Sequence, residues 1–256
     1  MNSGFYNAEM AAKQEQMAKT KDMVLQRAEI MRLLSPSRGE TILELGSGNG
    51  ILVREMLEAV GPKGRVVGLD TSDAILEMAR HICPEGEFLF GDAQDLPFDD
   101  ATFEAVVAAQ LFCFLDEVDR AIAETYRVLK PDGRLLVLDT DWDSLIWRSD
   151  DTDLMARVMK VFQAVYSDAH IPRSLPLRLT RAGFSNIEVE SFVVLNTGFG
   201  EDTYARQSAD FATSIMESSS EFTSDEQAAW LEGQEELAHT GGFFFSLNRY
   251  LISAQK

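Results

Sequence analysis

The spacing of hydrophobic positions changes along the chain. In residues 8–34, Met10, Met17, Val24 and Met31 recur among polar residues, joined by Leu25, Ala28 and Leu34. That spacing predicts one or two amphipathic helices, stopped by Ser35-Pro36. From residue 41, short β-rich runs alternate with helical patterns. Strands are expected at Thr41–Leu45, Arg65–Leu69, Glu87–Phe90, Phe103–Ala109 and Arg134–Asp139, with helices at Ile51–Val60, Ala74–Ile82 and Asp116–Leu129. Alternation of this kind implies an α/β fold, a parallel sheet covered by helices on both faces. Further on, helices are expected near 151–168 and 174–182, then a strand at Asn186–Leu195. Residues 200–240 read as helical, with Tyr204, Phe211, Ile215, Phe222, Trp230 and Leu237 on the apolar side, before a last strand at Phe243–Ala254. The expected organisation is an N-terminal helical cap over 1–38 and one domain over 39–256, with 200–240 inserted before the last strand.

Composition narrows the partners. The 256 residues carry 23 Lys and Arg against 42 Asp and Glu, a net charge of −19. A phosphate polyanion needs a surface rich in Lys and Arg, so nucleic acid is disfavoured, and an anionic membrane surface for the same reason. The longest apolar run, Ala105 to Leu115, is broken by Gln110 and too short to span a bilayer. No basic stretch leads into an apolar run at the start, and the two cysteines, Cys83 and Cys113, read as reduced buried thiols. The expected compartment is the cytoplasm. Nothing in the sequence points to an oligomeric state.

Three stretches carry chemistry. Ile42-Leu43-Glu44-Leu45-Gly46-Ser47-Gly48-Asn49-Gly50 runs from a strand into a helix. Glycines at such a turn let the backbone approach a ligand, and the helix N-terminus adds unpaired N–H donors. The spacing is G-x-G-x-G with Ile51 next, not the G-x-G-x-x-G of dinucleotide binders, so a nicotinamide oxidoreductase is disfavoured. Asp70 ends the second strand, where a carboxylate can accept hydrogen bonds from both ribose hydroxyls. Asp92 and Ala93 lie in a polar loop after the third strand, where a carboxylate and backbone N–H groups can read an adenine edge. Singly, Gly46 reads equally well as a tight turn, Asp70 as a helix cap and Asp92 as a loop residue. Together, in order at the strand ends where open parallel sheets bind ligands, they point to a cofactor crevice.

Over about residues 41–140 the chain resembles the class I S-adenosylmethionine-dependent methyltransferases with a type 11 methyltransferase domain, which include the ubiquinone/menaquinone C-methyltransferases. The resemblance rests on Glu44-Leu45-Gly46-Ser47-Gly48-Asn49-Gly50, Asp70-Thr71-Ser72, Gly91-Asp92-Ala93 and Arg127-Val128-Leu129-Lys130-Pro131-Asp132-Gly133-Arg134. It implies a Rossmann-like seven-stranded sheet, S-adenosyl-L-methionine as cofactor and a small-molecule acceptor. It implies that Gly46, Ser47 and Gly48 face the methionine part, with Glu44 anchoring the turn near the amino group. Asp70 with Thr71 would hold the ribose, Asp92 and Ala93 the adenine, and Gln110 would sit beside the sulfonium. Where many relatives carry Glu-His, this chain has Cys113-Phe114, so that histidine's acid/base role is absent.

Methyl transfer from a sulfonium is an in-line displacement that needs alignment and a dry pocket more than a catalytic triad. No catalytic residue is assigned. His170 and His239 read as solvated loop histidines and His81 as structural. Asp139-Thr140-Asp141-Trp142-Asp143 alternates carboxylates, but a calcium loop wants Gly and Glu where Ser144 and Asp150 stand, so no metal is expected. That loop is instead expected to line the acceptor site, with Trp142 and Trp147 as walls and Tyr6 as a lid. Residues 185–256 hold twelve acids against Arg206, Arg249 and Lys256. This acidity either favours neutral or cationic acceptors or is a solvated face. The alternatives to a small-molecule methyltransferase are a protein methyltransferase and a non-catalytic S-adenosylmethionine-binding protein.

Overall fold

The computed structural model describes residues 8–256. Two helices come first, α1 (Ala8–Lys19) and α2 (Lys21–Leu34). Thr20 accepts the Met23 N–H to cap α2, and Ser35 ends it in a left-handed conformation. Then β1 (Thr41–Leu45), α3 (Ile51–Val60), β2 (Arg65–Asp70), α4 (Asp73–Ile82), β3 (Glu87–Phe90), β4 (Phe103–Ala109), α5 (Val118–Val128) and β5 (Leu129–Thr140) alternate. The remaining elements are β6 (Ile146–Trp147), α6 (Thr152–Gln163), α7 (Leu175–Arg181), β7 (Ser185–Asn196), α8 (Tyr204–Ser218), α9 (Ser224–His239) and β8 (Phe245–Gln255). Among the described residues no helix is long and apolar enough to cross a membrane.

The sheet runs β3-β2-β1-β4-β5-β8, with β7 on the outer edge of β8. The first five strands are parallel; β8 runs antiparallel to β5, and β7 antiparallel to β8. The sheet has eight strands where seven were expected. The extra one is β6, whose Ile146 and Trp147 pair with Ser246 and Phe245 beyond the end of β5. A single helical turn at Trp142–Ser144 interrupts that column, so β6 continues the line of β5 along β8. β5 also begins earlier than expected: Leu129 already pairs with Phe103 before the register shifts and Arg134 meets Ala105.

The strand pleat sorts the core. Leu43, Leu45, Val106 and Val137 point toward α5 and α7, where Ala121, Ile122, Leu175 and Leu179 cover them. Their neighbours Ile42, Val107, Leu136 and Leu138 point the other way, under Ile30 and Leu34 of α2 and Val53 and Met56 of α3. A further cluster packs α6, α8 and α9 around Trp142, Trp147, Phe245 and Leu247. The helical stretch near 200–240 is two helices because Thr223 caps α9, exchanging hydrogen bonds with Glu226 in a capping box.

Candidate cofactor crevice

The crevice opens where β1 turns into α3. The N–H groups of Gly46 and Ser47 both donate to the Leu69 carbonyl, at 2.8 and 3.0 Å, which ties the turn to β2. Gly46, Gly48 and Gly50 have φ of +67°, +52° and +77°, a region that side chains rarely adopt. A Cβ on Gly48 would meet nothing within 4 Å, so this is the side of the turn left open to a ligand. α3 follows with no acidic residue in its first turn and no side-chain cap from Gly50, which leaves its N-terminal dipole available.

Asp70 closes the side of the crevice formed by β2. Gly48 N–H donates to its Oδ2 at 3.1 Å and Ser72 N–H to its Oδ1 at 3.0 Å. Burial raises its pKa, opposed by these backbone donors and by Thr71. The cap of α4 is Ser72, whose hydroxyl accepts the Ile75 N–H, so Asp70 is not a helix cap. Each of its oxygens keeps a lone pair for a further donor.

Behind the turn lies Glu44, 3% exposed, with Oε2 unpartnered; the Ser47 hydroxyl is likewise buried and unpartnered among the described residues. Burial, and next the Asp70 charge, push the Glu44 carboxyl well above the usual carboxylate range. Buried polar atoms are seldom left unpaired. Two of them beside an open glycine turn fit a ligand that brings its own donors and acceptors, as an amino acid does.

Asp92 is exposed, and its carboxylate accepts both the backbone and side-chain N–H of Gln94, folding the loop beside buried Ala93. Gln110, at the tip of β4, has φ +57°, unusual for a side-chain-bearing residue. Its N–H donates to the Leu138 carbonyl at 2.7 Å and its side-chain amide to Thr140 Oγ1 at 2.5 Å. Next to it, the Phe112 N–H donates to Asp139 Oδ2 at 3.0 Å. Asp139 is fully buried, and burial pushes its pKa up to about 7. The structure thus gathers Glu44, Gly46, Ser47, Gly48, Asp70, Thr71, Asp92, Ala93 and Gln110 along the carboxyl ends of β1 to β4.

The expected acceptor walls sit differently. Trp142 is 3% exposed and stacks on Tyr166 at 4.4 Å, with Phe162 edge-on at 5.3 Å; its indole N–H is unpartnered. Trp147 packs on Trp230 and Phe245 and donates to Gln234 Oε1 at 2.9 Å, which makes it a core residue. Tyr6 lies outside the described residues. His81 lines a surface cleft with Arg27 and Arg54. Asp141, Asp143 and His170 converge closely enough for a metal, yet Arg173 binds Asp141 at 2.7 and 2.8 Å and Asp143 at 3.0 Å, occupying both carboxylates with its guanidinium.

Other polar residues were not foreseen. Asp22 of α2, 7% exposed, accepts the Asn196 side-chain amide at 3.1 and 3.2 Å and the Tyr204 N–H at 2.8 Å. Asn196 Oδ1 in turn accepts the Ala205 N–H at 2.9 Å, so α2 and β7 together cap α8. Arg249 is 2% exposed in β8. Its signal was present: alternate residues Phe245, Leu247 and Leu251 are apolar and buried, and Arg249 stands in their row.

Residues 43–137 match the family described as a methyltransferase domain. Beyond it, the chain is 29% identical over 247 residues, 94% of its length and 70% of the other's, to an uncharacterized 37.1 kDa protein in a transposon of Streptomyces fradiae. It is 36% identical over 113 residues to the demethylmenaquinone methyltransferase of Thermotoga maritima, covering 44% of this chain and 49% of that protein. The chain thus spans about half the length of this methyltransferase relative. In fold it is similar to phosphoethanolamine N-methyltransferase 2 of Haemonchus contortus, solved in complex with S-adenosyl-L-methionine. The TM-score is 0.59 at 19% identity, over 90% of this chain and 52% of that one. The glycine turn, Asp70, Asp92 and Gln110 all fall inside the matched residues, whereas Arg249, Tyr204 and Asp22 fall outside them.

Proposed function

We propose that this chain transfers a methyl group from S-adenosylmethionine to a small organic acceptor. The reading is carried by one conjunction: an open glycine turn flanked by unpartnered Glu44 Oε2 and Ser47 Oγ, with Asp70 at the end of the neighbouring strand. Gly46, Ser47, Gly48 and Glu44 hold the amino-acid part, Asp70 and Thr71 the ribose, and Asp92 and Ala93 the adenine. Gln110, braced by Thr140 and the Leu138 carbonyl, fixes the floor beside the reacting centre. The bound cofactor supplies the electrophilic methyl group. The protein aligns the acceptor and excludes water, and no side chain is assigned as general base. α2, α8 and the loop around Trp142 cover the acceptor end, and Tyr6, outside the described residues, is kept as a lid candidate on the sequence alone. The protein works in the cytoplasm on small molecules, its net charge of −19 turning it from nucleic acid.

The test is binding. S-adenosylhomocysteine is expected to raise the melting temperature at millimolar concentration, as a native-state ligand must, and NADH to leave it unchanged. Asp70→Ala is expected to weaken that binding by ~1.5–3 kcal/mol in calorimetry. No shift with S-adenosylhomocysteine overturns the reading; binding without turnover on any acceptor in a labelled-methyl screen returns the chain to a non-catalytic cofactor binder.

A further inference from the structure

Arg249 is a charged side chain in a place built for apolar ones. It springs from β8 in register with Thr140 of β5, whose hydroxyl holds Gln110, so it stands beside the crevice on the acceptor side. Its guanidinium lies 4.5 Å over the Tyr204 ring of α8. Nη1 donates to Gln26 Oε1 and faces Met23 Sδ at 3.2 Å, both on α2. Nε is buried without a partner, Nη2 makes no hydrogen bond, and no carboxylate pairs with it among the described residues. Asp139, which precedes Thr140 in β5 and turns to the other face, feels the Arg249 charge through space but makes no hydrogen bond or ion pair with it.

A guanidinium does not shed its proton to relieve burial, and a buried charge with no counter-charge in contact is unfavourable. An amide oxygen, a thioether and a ring face answer it only with dipoles. What the remaining N–H groups of the planar fork match is an oxyanion, held by two parallel hydrogen bonds. Resting on the methyltransferase reading above, we propose that Arg249 anchors an oxyanionic group, carboxylate or phosphate, of the methyl acceptor beneath α2 and α8. Tyr204 and Gln26 orient the guanidinium for it. The acidic surface of residues 185–256 acts at long range through solvent and is screened by salt, while the anchor acts at contact in a dry site. The anchor therefore sets the preference, and the acidic surface does not select neutral or cationic acceptors.

The test titrates protein saturated with S-adenosylhomocysteine with inorganic phosphate and, separately, with benzoate. Sodium chloride and benzamide at matched ionic strength are the controls. Phosphate or benzoate is expected to raise the melting temperature by several degrees where the controls do not, and whichever acts identifies the source of the oxyanion. Arg249→Met is expected to abolish that shift, and Arg249→Lys, which keeps charge and bulk but loses the fork, to weaken oxyanion binding at least tenfold. Both are expected to bind S-adenosylhomocysteine within threefold of the parent. If Arg249→Met does not fold, Arg249→Lys decides. No oxyanion response in the parent, or one unchanged in the lysine variant, overturns the proposal. If S-adenosylhomocysteine itself fails to bind, the methyltransferase reading falls, and the same titrations on cofactor-free protein still judge Arg249.

Discussion

The two halves of the sheet solve the same problem with different means. From β1 to β4 the crevice is made by the backbone: glycine φ angles, N–H groups of Gly46, Ser47 and Gly48, and a carboxylate two residues ahead of the helix cap. Every partner there is a neighbour in sequence or on the adjoining strand. From β5 to β8 the cover is made by side chains that meet across most of the chain, such as Asp22 with Asn196 and Arg249 with Gln26. Backbone geometry demands particular residues in a fixed order and so leaves a motif. Side-chain meetings can be rebuilt with other residues, so this is the half in which one fold can change its acceptor.

The sharpest way to break the comparison is at the turn. Gly46→Val places a Cβ 3.1 Å from Leu111 Cδ1 at a φ of +67°, where a β-branched residue is strained. The variant is expected to lose cofactor binding entirely and to unfold more easily by ~3 kcal/mol, read by calorimetry and urea titration. Retained binding would mean that the turn tolerates a side chain and is not the ligand's seat.

A smaller effect is expected at Asp139, where the two halves join. Burial raises its pKa to about 7 from an unfolded value near 4, so the folded state binds the extra proton between them. Stability from this group is therefore complete below the unfolded pKa and is lost as pH rises toward 7. Asp139→Asn mimics the protonated form and still accepts the Phe112 N–H. It is expected to stabilise the protein by ~2 kcal/mol at pH 8, by roughly a third of that at pH 5 and hardly at all at pH 3.5. Equal effects at all three pH values would place the charge outside the core.

The smallest change tests the cover alone. Asp22→Ala removes the acceptor for Tyr204 N–H and the Asn196 amide and is expected to cost ~1–2 kcal/mol. Hydrogen exchange should quicken at the start of α8 and stay unchanged in β1 and β2. Exchange that quickened in both halves equally would show that they unfold as one.

How much could be read in advance follows the same divide. β1, β3, β4 and α3 were legible to the residue, because a short apolar run between turn signals fixes its own ends. The start of β5 was not: Lys130-Pro131-Asp132-Gly133 looks like a loop, and only the sheet shows Leu129 already paired across the register shift. Nor was β6, since two residues carry no period and owe their pairing to β8. Trp142 and Trp147 were legible as apolar but not as wall or core, because an aromatic stripe does not say which side of it is filled. Arg249 stands out as a charge in the apolar row of β8, but its surroundings do not, because Met23 and Gln26 lie more than 220 residues earlier.

The Asp22 bridge also sets an order of events in the cell. Asp22 leaves the ribosome long before its partners Asn196 and Tyr204, which follow 174 and 182 residues later. At ~5–20 residues per second, α2 waits roughly ten to forty seconds for the residues that hold it. By about the middle of that interval β4 ends at Ala109, and from then on the strands of the cofactor half are all made while the residues that hold α2 are still to come. The nascent protein thus has its glycine-turn crevice before it has the helical cover assigned above to the proposed acceptor.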